Sequence, residues 1–257
     1  MAMQSLAVLV FVAFAALAVG QAQGEAAYKS FLAWQSAPEN RELKWEAATA
    51  KYRAKLIAEG NTAEADKTIS IIASRDEATL YDPLFAGETP QFLATPNRLL
   101  MEAVKNRKPG RALDVAMGQG RNALHLAKLG WDVTGFDVSK TGLEQAQRLA
   151  AASGVKIRTV HVSDEEFEFG TGQWDLIAIV YPIEKRSVHR VRQALKPGGI
   201  VVVECTHKEA SGAPFEYDSN ELLRMFDGFR ILKYEDVLAE HEWMRKELRL
   251  VRLIAQK

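Results

Sequence analysis

Ala112-Leu-Asp-Val-Ala-Met-Gly-Gln-Gly-Arg-Asn-Ala-Leu-His-Leu-Ala127 carries three local signatures in succession. Leu113 and Val115 belong to a short apolar run that predicts a buried strand. Gly118 and Gly120 break that run, and Ala123, Leu124, Leu126, Ala127 and Leu129 then recur at helical spacing. Strand, glycine-rich turn and helix together make a pocket, because glycine lets backbone approach a ligand and a helix N-terminus offers free N–H groups. Beyond Ala127 a second strand, Trp131-Asp-Val-Thr-Gly-Phe-Asp137, ends in a carboxylate. An acid at such a strand tip is placed to accept hydrogen bonds from the two hydroxyls of a ribose. The stretch therefore predicts a nucleoside-containing cofactor.

Two cofactor classes fit. Gly118-x-Gly120-x-x-Ala123 satisfies the G-x-G-x-x-[GA] dinucleotide fingerprint, and Asp137 lies near the expected distance from it. The same turn carries a further acid, Asp114, which gives D-x-A-x-G-x-G. That arrangement resembles the first motif of the class I S-adenosylmethionine-dependent methyltransferases, usually [DE]-x-G-x-G-x-G, with Ala116 standing for the first glycine. The wording Leu113-Asp-Val-Ala-Met-Gly-Gln-Gly-Arg-Asn122, followed by Gly130-Trp-Asp-Val-Thr-Gly-Phe-Asp-Val-Ser139, is similar to the branch that includes the tellurite-resistance and thiopurine-type enzymes.

The rest of the chain separates these readings. Ser139 is placed to cap a helix carrying Leu143, Ala146, Leu149 and Ala150, which Gly154 ends. Val155–Val162 reads as a strand, and the uniform apolar run Trp174–Val180 suits a parallel strand buried on both faces. A helix over Ser187–Leu195, a turn at Lys196-Pro-Gly-Gly199 and a strand over Ile200–Glu204 follow. Leu-Lys-Pro-Gly-Gly before that strand is another mark of the family resembled. In the tail, a helix over Ser219–Phe226 precedes strands at Phe229–Val237 and Leu248–Ile254, with no helix fitting between the two strands. A tight connection forces antiparallel pairing, whereas parallel strands need a long crossover. The expected fold is α/β: a Rossmann-like, doubly wound, seven-stranded sheet, mostly parallel with an antiparallel last strand. A nicotinamide-binding domain would instead continue with a second strand-helix-strand half. An NAD(P)-dependent oxidoreductase and a non-catalytic nucleoside-binding protein are the alternatives to a methyltransferase.

The resemblance implies roles for particular residues. Ala116, Gly118 and Gly120 lie against the methionine and ribose, and Asp114 hydrogen-bonds near the amino-acid end. Asp137 holds the ribose hydroxyls and Val138 lies against the adenine. Asp164, past the third strand, matches the acid that accepts from the adenine amino group, with Glu165 as its neighbour, although acids after strands are often mere caps. Val180 and Tyr181, at the tip of the fourth strand, face the sulfonium and its methyl.

Catalytic candidates are Tyr181 and His207, the latter as a base just past the fifth strand, where an exposed loop histidine is the plainer alternative. His241 and Trp243 flank the same mouth from the final hairpin. His125 and His189 fall on helices and His161 within a strand, which suits structural roles. Tyr181-Pro182 stands where amino-methylating nucleic-acid enzymes carry [DNS]-P-P-[YF], so adenine or glutamine N-methylation is disfavoured and a small-molecule acceptor is expected. Asp76–Ala94 is rich in turn residues and reads as irregular. Its Tyr81, Phe85 and Phe92 are candidate walls of the acceptor site, or pins that hold the loop to the core. No H-x-x-x-H or C-x-x-C spacing calls for a metal.

The totals narrow the partners. Across 257 residues, 33 basic side chains balance 33 acidic ones, so no global field favours nucleic acid or an anionic membrane. A lone cysteine, Cys205, excludes an internal disulfide. A monomer is expected.

Residues 1–24 read as a leader. Leu6–Val19 is an unbroken apolar run, too short to span a bilayer comfortably, and Gly20-Gln-Ala-Gln-Gly24 offers small residues at signal-peptidase spacing. Export is the expectation, although the first five residues lack Lys and Arg and the cofactor implied is a cytoplasmic one. The alternatives are an uncleaved membrane tether and an over-long start on a cytoplasmic protein. A helical segment over 25–94, a possible lid, then precedes the methyltransferase-like domain at 95–257. Thr95-Pro96 is expected to open that domain's first helix.

Overall fold

The structure, a computed structural model, describes residues 24, 26–60, 62–86, 94–181, 185–209, 216–242 and 245–257. Residues 1–23 of the leader, Phe92, Pro182 and Trp243 lie outside the described residues. The chain divides into two units, Met1–Thr79 and Leu80–Lys257, earlier than the 94/95 boundary read from the sequence.

The first unit is helical: α1 (26–35), α2 (Trp45–Ala58) and α3 (Thr62–Ala86), whose last residues belong to the second unit. Its core is aromatic. Phe31 and Ile72 are fully buried with Ala48 and Tyr52, and the Phe31 and Tyr52 rings meet edge to face with centroids 5.3 Å apart. No helix among the described residues is long and apolar enough to cross a membrane.

The second unit is built on one seven-stranded sheet in the order β3-β2-β1-β4-β5-β7-β6. The strands are β1 (Arg111–Val115), β2 (Asp132–Asp137), β3 (Arg158–His161), β4 (Trp174–Val180), β5 (Leu195–Thr206), β6 (Arg230–His241) and β7 (Lys246–Gln256). Strands β1 to β5 pair in parallel, while β7 runs antiparallel to both β5 and β6. Helix α4 (Arg98–Val104) precedes β1, and α5 (Arg121–Lys128), α6 (Lys140–Ala152), α7 (Val188–Ala194) and α8 (Glu221–Met225) lie in the connections β1–β2, β2–β3, β4–β5 and β5–β6.

Alternation along the strands divides the core between the two faces. Leu113, Val115, Ile177, Ile179, Val201 and Val203 pack with Val188 and Val191 of α7 on one side. Ala112, Leu176, Ala178, Ile200 and Val202 pack with Leu100, Leu126 and Leu143 of α4, α5 and α6 on the other. Strand β4 is apolar on both faces, as its sequence requires.

Several boundaries differ from the sequence reading. Helix α3 continues to Ala86, through residues read as irregular and past Pro83. The cap of α4 is Asn97, not Thr95: its side chain accepts from the Leu100 amide, so the helix opens at Arg98. Strand β3 is confined to Arg158–His161 and α8 to Glu221–Met225, while β6 and β7 run longer than their apolar alternation. Lys196–Gly199 is taken into β5 as an irregularity, the pairing with β4 stepping from Trp174↔Leu195 to Leu176↔Ile200. Ser139 caps α6 by accepting from the Gly142 amide, as expected.

Candidate active site

The parallel strands end together. Val115 pairs with Phe136 of β2 and with Ile179 of β4, and Val180 pairs with Glu204 of β5, so everything just beyond these residues gathers at one sheet edge. In open α/β sheets that edge takes ligands.

The turn from β1 into α5 is wound by alternate positive φ angles, 52° at Ala116, 53° at Gly118 and 80° at Gly120. Glycine adopts that region without strain, and Ala116 does so at a cost of about 1–2 kcal/mol. The turn is tied to its neighbour: the Met117 amide donates to the Phe136 carbonyl at 3.0 Å, and the Gly118 amide donates to Asp137 Oδ2 at 2.7 Å. The Ser139 amide donates to Asp137 Oδ1 at 2.8 Å. Both oxygens of the strand-tip carboxylate are thus fixed by backbone, and each keeps a lone pair. Burial pushes the Asp137 carboxyl above the usual range, against the pull of the Ser139 and Gly118 amides.

Asp114 lies deeper. Its Oδ2 accepts from the Ala123 amide at 3.0 Å, which anchors the first turn of α5 to β1. Burial pushes this carboxyl up to about 7, opposed by the Ala123 amide and the charge of Arg121. Val138 is half-buried, and its carbonyl accepts from His161 Nε2 at 2.8 Å. Asp164, three residues past β3, accepts from Ser187 Oγ at 2.8 Å at the start of α7. The Glu165 carbonyl accepts from Arg190.

Tyr181 follows Val180 at the β4 tip with φ 76°, a conformation that only a closely held side chain keeps. Its amide donates to the Glu204 carbonyl at 2.8 Å, and its phenol donates to Glu204 Oε1 at 3.2 Å. The Glu242 amide donates to the phenol oxygen at 3.2 Å. The ring stacks on His241, centroids 4.2 Å apart. Burial and the carboxylates of Glu204 and Glu242 hold the phenol protonated, far above its usual range. The structure thus brings Tyr181 and His241 into ring contact beside the end of β4.

His207 is turned inward. It is 5% exposed. Nε2 lies 3.3 Å from Ser219 Oγ, and Nδ1 accepts from the Glu209 amide at 3.2 Å. Ser219 donates in turn to Asp236, which Arg249 grips through Nε at 2.6 Å. With both nitrogens engaged, the ring ties the end of β5 to α8 and the β6–β7 hairpin.

A buried polar network absent from the sequence reading joins these elements. Asn97 Nδ2 donates to Glu204 at 2.9 Å and to Glu242 at 3.1 Å. Arg252 Nε donates to Glu204 at 2.6 Å, and Arg121, the first residue of α5, donates to Glu242 at 2.9 Å. Glu204 is fully buried. A single charge within the apolar run Ile200–Cys205 was the legible sign of it, because such a charge is retained only when paired.

The sheet order, with the glycine turn after β1 and the acid at the β2 tip, is that of a Rossmann-like α/β domain, similar in fold to solved S-adenosylmethionine-dependent methyltransferases. Residues 112–199 match the family described as a methyltransferase domain. The chain is 34% identical over 149 residues to the ubiquinone biosynthesis O-methyltransferase of Bordetella avium, covering 54% of this chain and 58% of that protein. Its fold is similar to that of TehB from Haemophilus influenzae, with a TM-score of 0.54 at 18% identity, over 62% of this chain and 61% of that one. It is likewise similar to phosphoethanolamine N-methyltransferase 2 of Haemonchus contortus, solved with S-adenosyl-L-methionine, with a TM-score of 0.54 at 16% identity over 71% and 57% of the two chains. The chain spans about half the length of the curated relatives it matches.

Proposed function

We propose that this protein transfers a methyl group from S-adenosylmethionine to a small-molecule acceptor. The observation that carries the reading is the doubly anchored Asp137 carboxylate beside the Gly118 amide, at the edge where β1, β2 and β4 end. Its remaining lone pairs suit two vicinal ribose hydroxyls. Ala116, exposed on the same turn, leaves room for the methionine. When bound, S-adenosylmethionine supplies a methyl group on a positively charged sulfur, which passes in line to a nucleophile and leaves S-adenosylhomocysteine. Asp114, Ala116, Gly118 and Gly120 would hold the amino-acid end and ribose, with Val138, Asp164 and Glu165 on the adenine side and Val180 near the sulfur.

The protein's share of the reaction is alignment in a site shielded from water, worth roughly 7–11 kcal/mol where geometry is reactive. Tyr181 serves as a rigid aromatic wall on the acceptor side. Its phenol is committed to Glu204 and takes no proton. The engaged nitrogens of His207 likewise favour an acceptor that arrives with its lone pair free, such as a thiolate, an oxyanion or an amine.

Calorimetry with S-adenosylhomocysteine and with NADH tests the cofactor: the first binds and the second does not. A methyl-release screen over thiol, oxyanion and amine acceptors then separates a catalyst from a binding protein. Residues 1–24 are proposed as an export leader, tested by N-terminal sequencing of the mature protein, and the mature chain as a monomer, tested by light scattering.

A further inference from the structure

The last turns of α3 reach the glycine turn. Asp82 Oδ1 accepts from Ser139 Oγ at 2.5 Å and from the Thr141 amide at 3.1 Å. Asp82 therefore sits on the N-terminus of α6, through the same Ser139 whose amide anchors Asp137. Phe85 follows three residues later, on the same face of the helix. It is 7% exposed. Its ring is bracketed by two glycines: a Cβ at Gly118 would lie 2.9 Å from Cζ, and one at Gly142 would lie 3.1 Å from Cδ2. A side chain at Gly118 would force the ring to shift, and one at Gly142 would press tightly against it. The ring tip thus rests directly on the backbone of Gly118, with the Asp82 carboxylate close enough to Asp137 to raise its pKa.

A nucleoside that lies against Gly118 needs the space the ring fills. We propose that Phe85 and Asp82 occupy the nucleoside side of the cofactor site, so that S-adenosylmethionine binds only by displacing the last turn of α3. This rests on the reading of Gly118 and Asp137 as cofactor contacts. The device is a built-in competitor: two residues of the chain's own helix hold the ribose acid and the glycine turn in a closed state. Apparent affinity then falls by the fraction of molecules that are open.

Two measurements test it. Titration of S-adenosylhomocysteine into wild type, Phe85→Ala and Asp82→Ala is expected to show tighter binding to both variants, by about tenfold for Phe85→Ala if a tenth of the wild type is open. Phe85→Cys places a thiol in a chain whose only other cysteine, Cys205, is buried. That thiol should react slowly with a maleimide in the free protein and faster once S-adenosylhomocysteine is added. Weaker binding by Phe85→Ala, or slower labelling with ligand present, overturns the proposal and makes the ring a wall of the cofactor pocket. If no variant binds while circular dichroism reports an intact fold, the cofactor reading itself has failed, and this proposal with it.

Discussion

Tyr181 and Glu204 share two hydrogen bonds, backbone amide to carbonyl and phenol to carboxylate, across neighbouring strands. The pair holds a non-glycine residue at φ 76° beside the mouth of the site. Tyr181→Phe removes one of three donors to a buried carboxylate and should lower stability by about 1 kcal/mol. Glu204→Ala removes the buried carboxylate shared by Tyr181, Asn97 and Arg252 and should cost about 3–5 kcal/mol. Urea denaturation of the two variants checks the ranking, and equal losses would mean that Glu204 is not the centre of the network.

Ala116 stands where the family resembled carries glycine, at φ 52° and exposed. Ala116→Gly relieves a left-handed alanine but adds freedom to the unfolded chain. A net gain of about 0.5–1 kcal/mol is expected, read as a higher urea midpoint at unchanged slope. A loss would show that the methyl group makes contacts outweighing the strain.

In the proposed function Asp137 accepts from both ribose hydroxyls, and Asp137→Ala removes that acceptor. The affinity for S-adenosylhomocysteine should fall at least about tenfold by calorimetry, at roughly 1.5–3 kcal/mol for each bond to a charged group. The amides of Gly118 and Ser139 lose their partner as well, so the melting temperature should drop with it.

Asp114 makes stability depend on pH in the direction opposite to that of a salt-bridged carboxylate. Its folded pKa is raised to about 7, so between the ordinary carboxylate value and about 7 the folded state holds a proton that the unfolded state has lost. Stability from this group is complete at low pH and is lost as pH rises toward about 7. Asp114→Asn should flatten that slope in urea melts between pH 5 and 8. An unchanged slope would assign it to another group.

Much of the second unit is legible from local pattern. Strand β4 is found residue for residue because a run buried on both faces has no competing reading. The Ser139 cap and the β1 turn are short-range features as well. What stays hidden depends on distance along the chain. Asn97 caps α4 in preference to Thr95 while bonding Glu204 and Glu242, more than a hundred residues away. Helix α3 persists to Ala86 through turn-forming residues, and Asp82 within that stretch bonds Ser139 and Thr141. His207 looked like a loop base because nothing local announces Ser219 or Asp236.

Strand β7 is threaded between β5 and β6, although it follows both in the chain. During synthesis, therefore, β5 presents an open apolar edge until residues 246–256 have left the ribosome, and β6 waits without the strand it pairs with. The nascent domain passes through a stage in which foreign strands compete for the slot. Closure of the β6–β7 hairpin onto β5 is the step that removes this open edge.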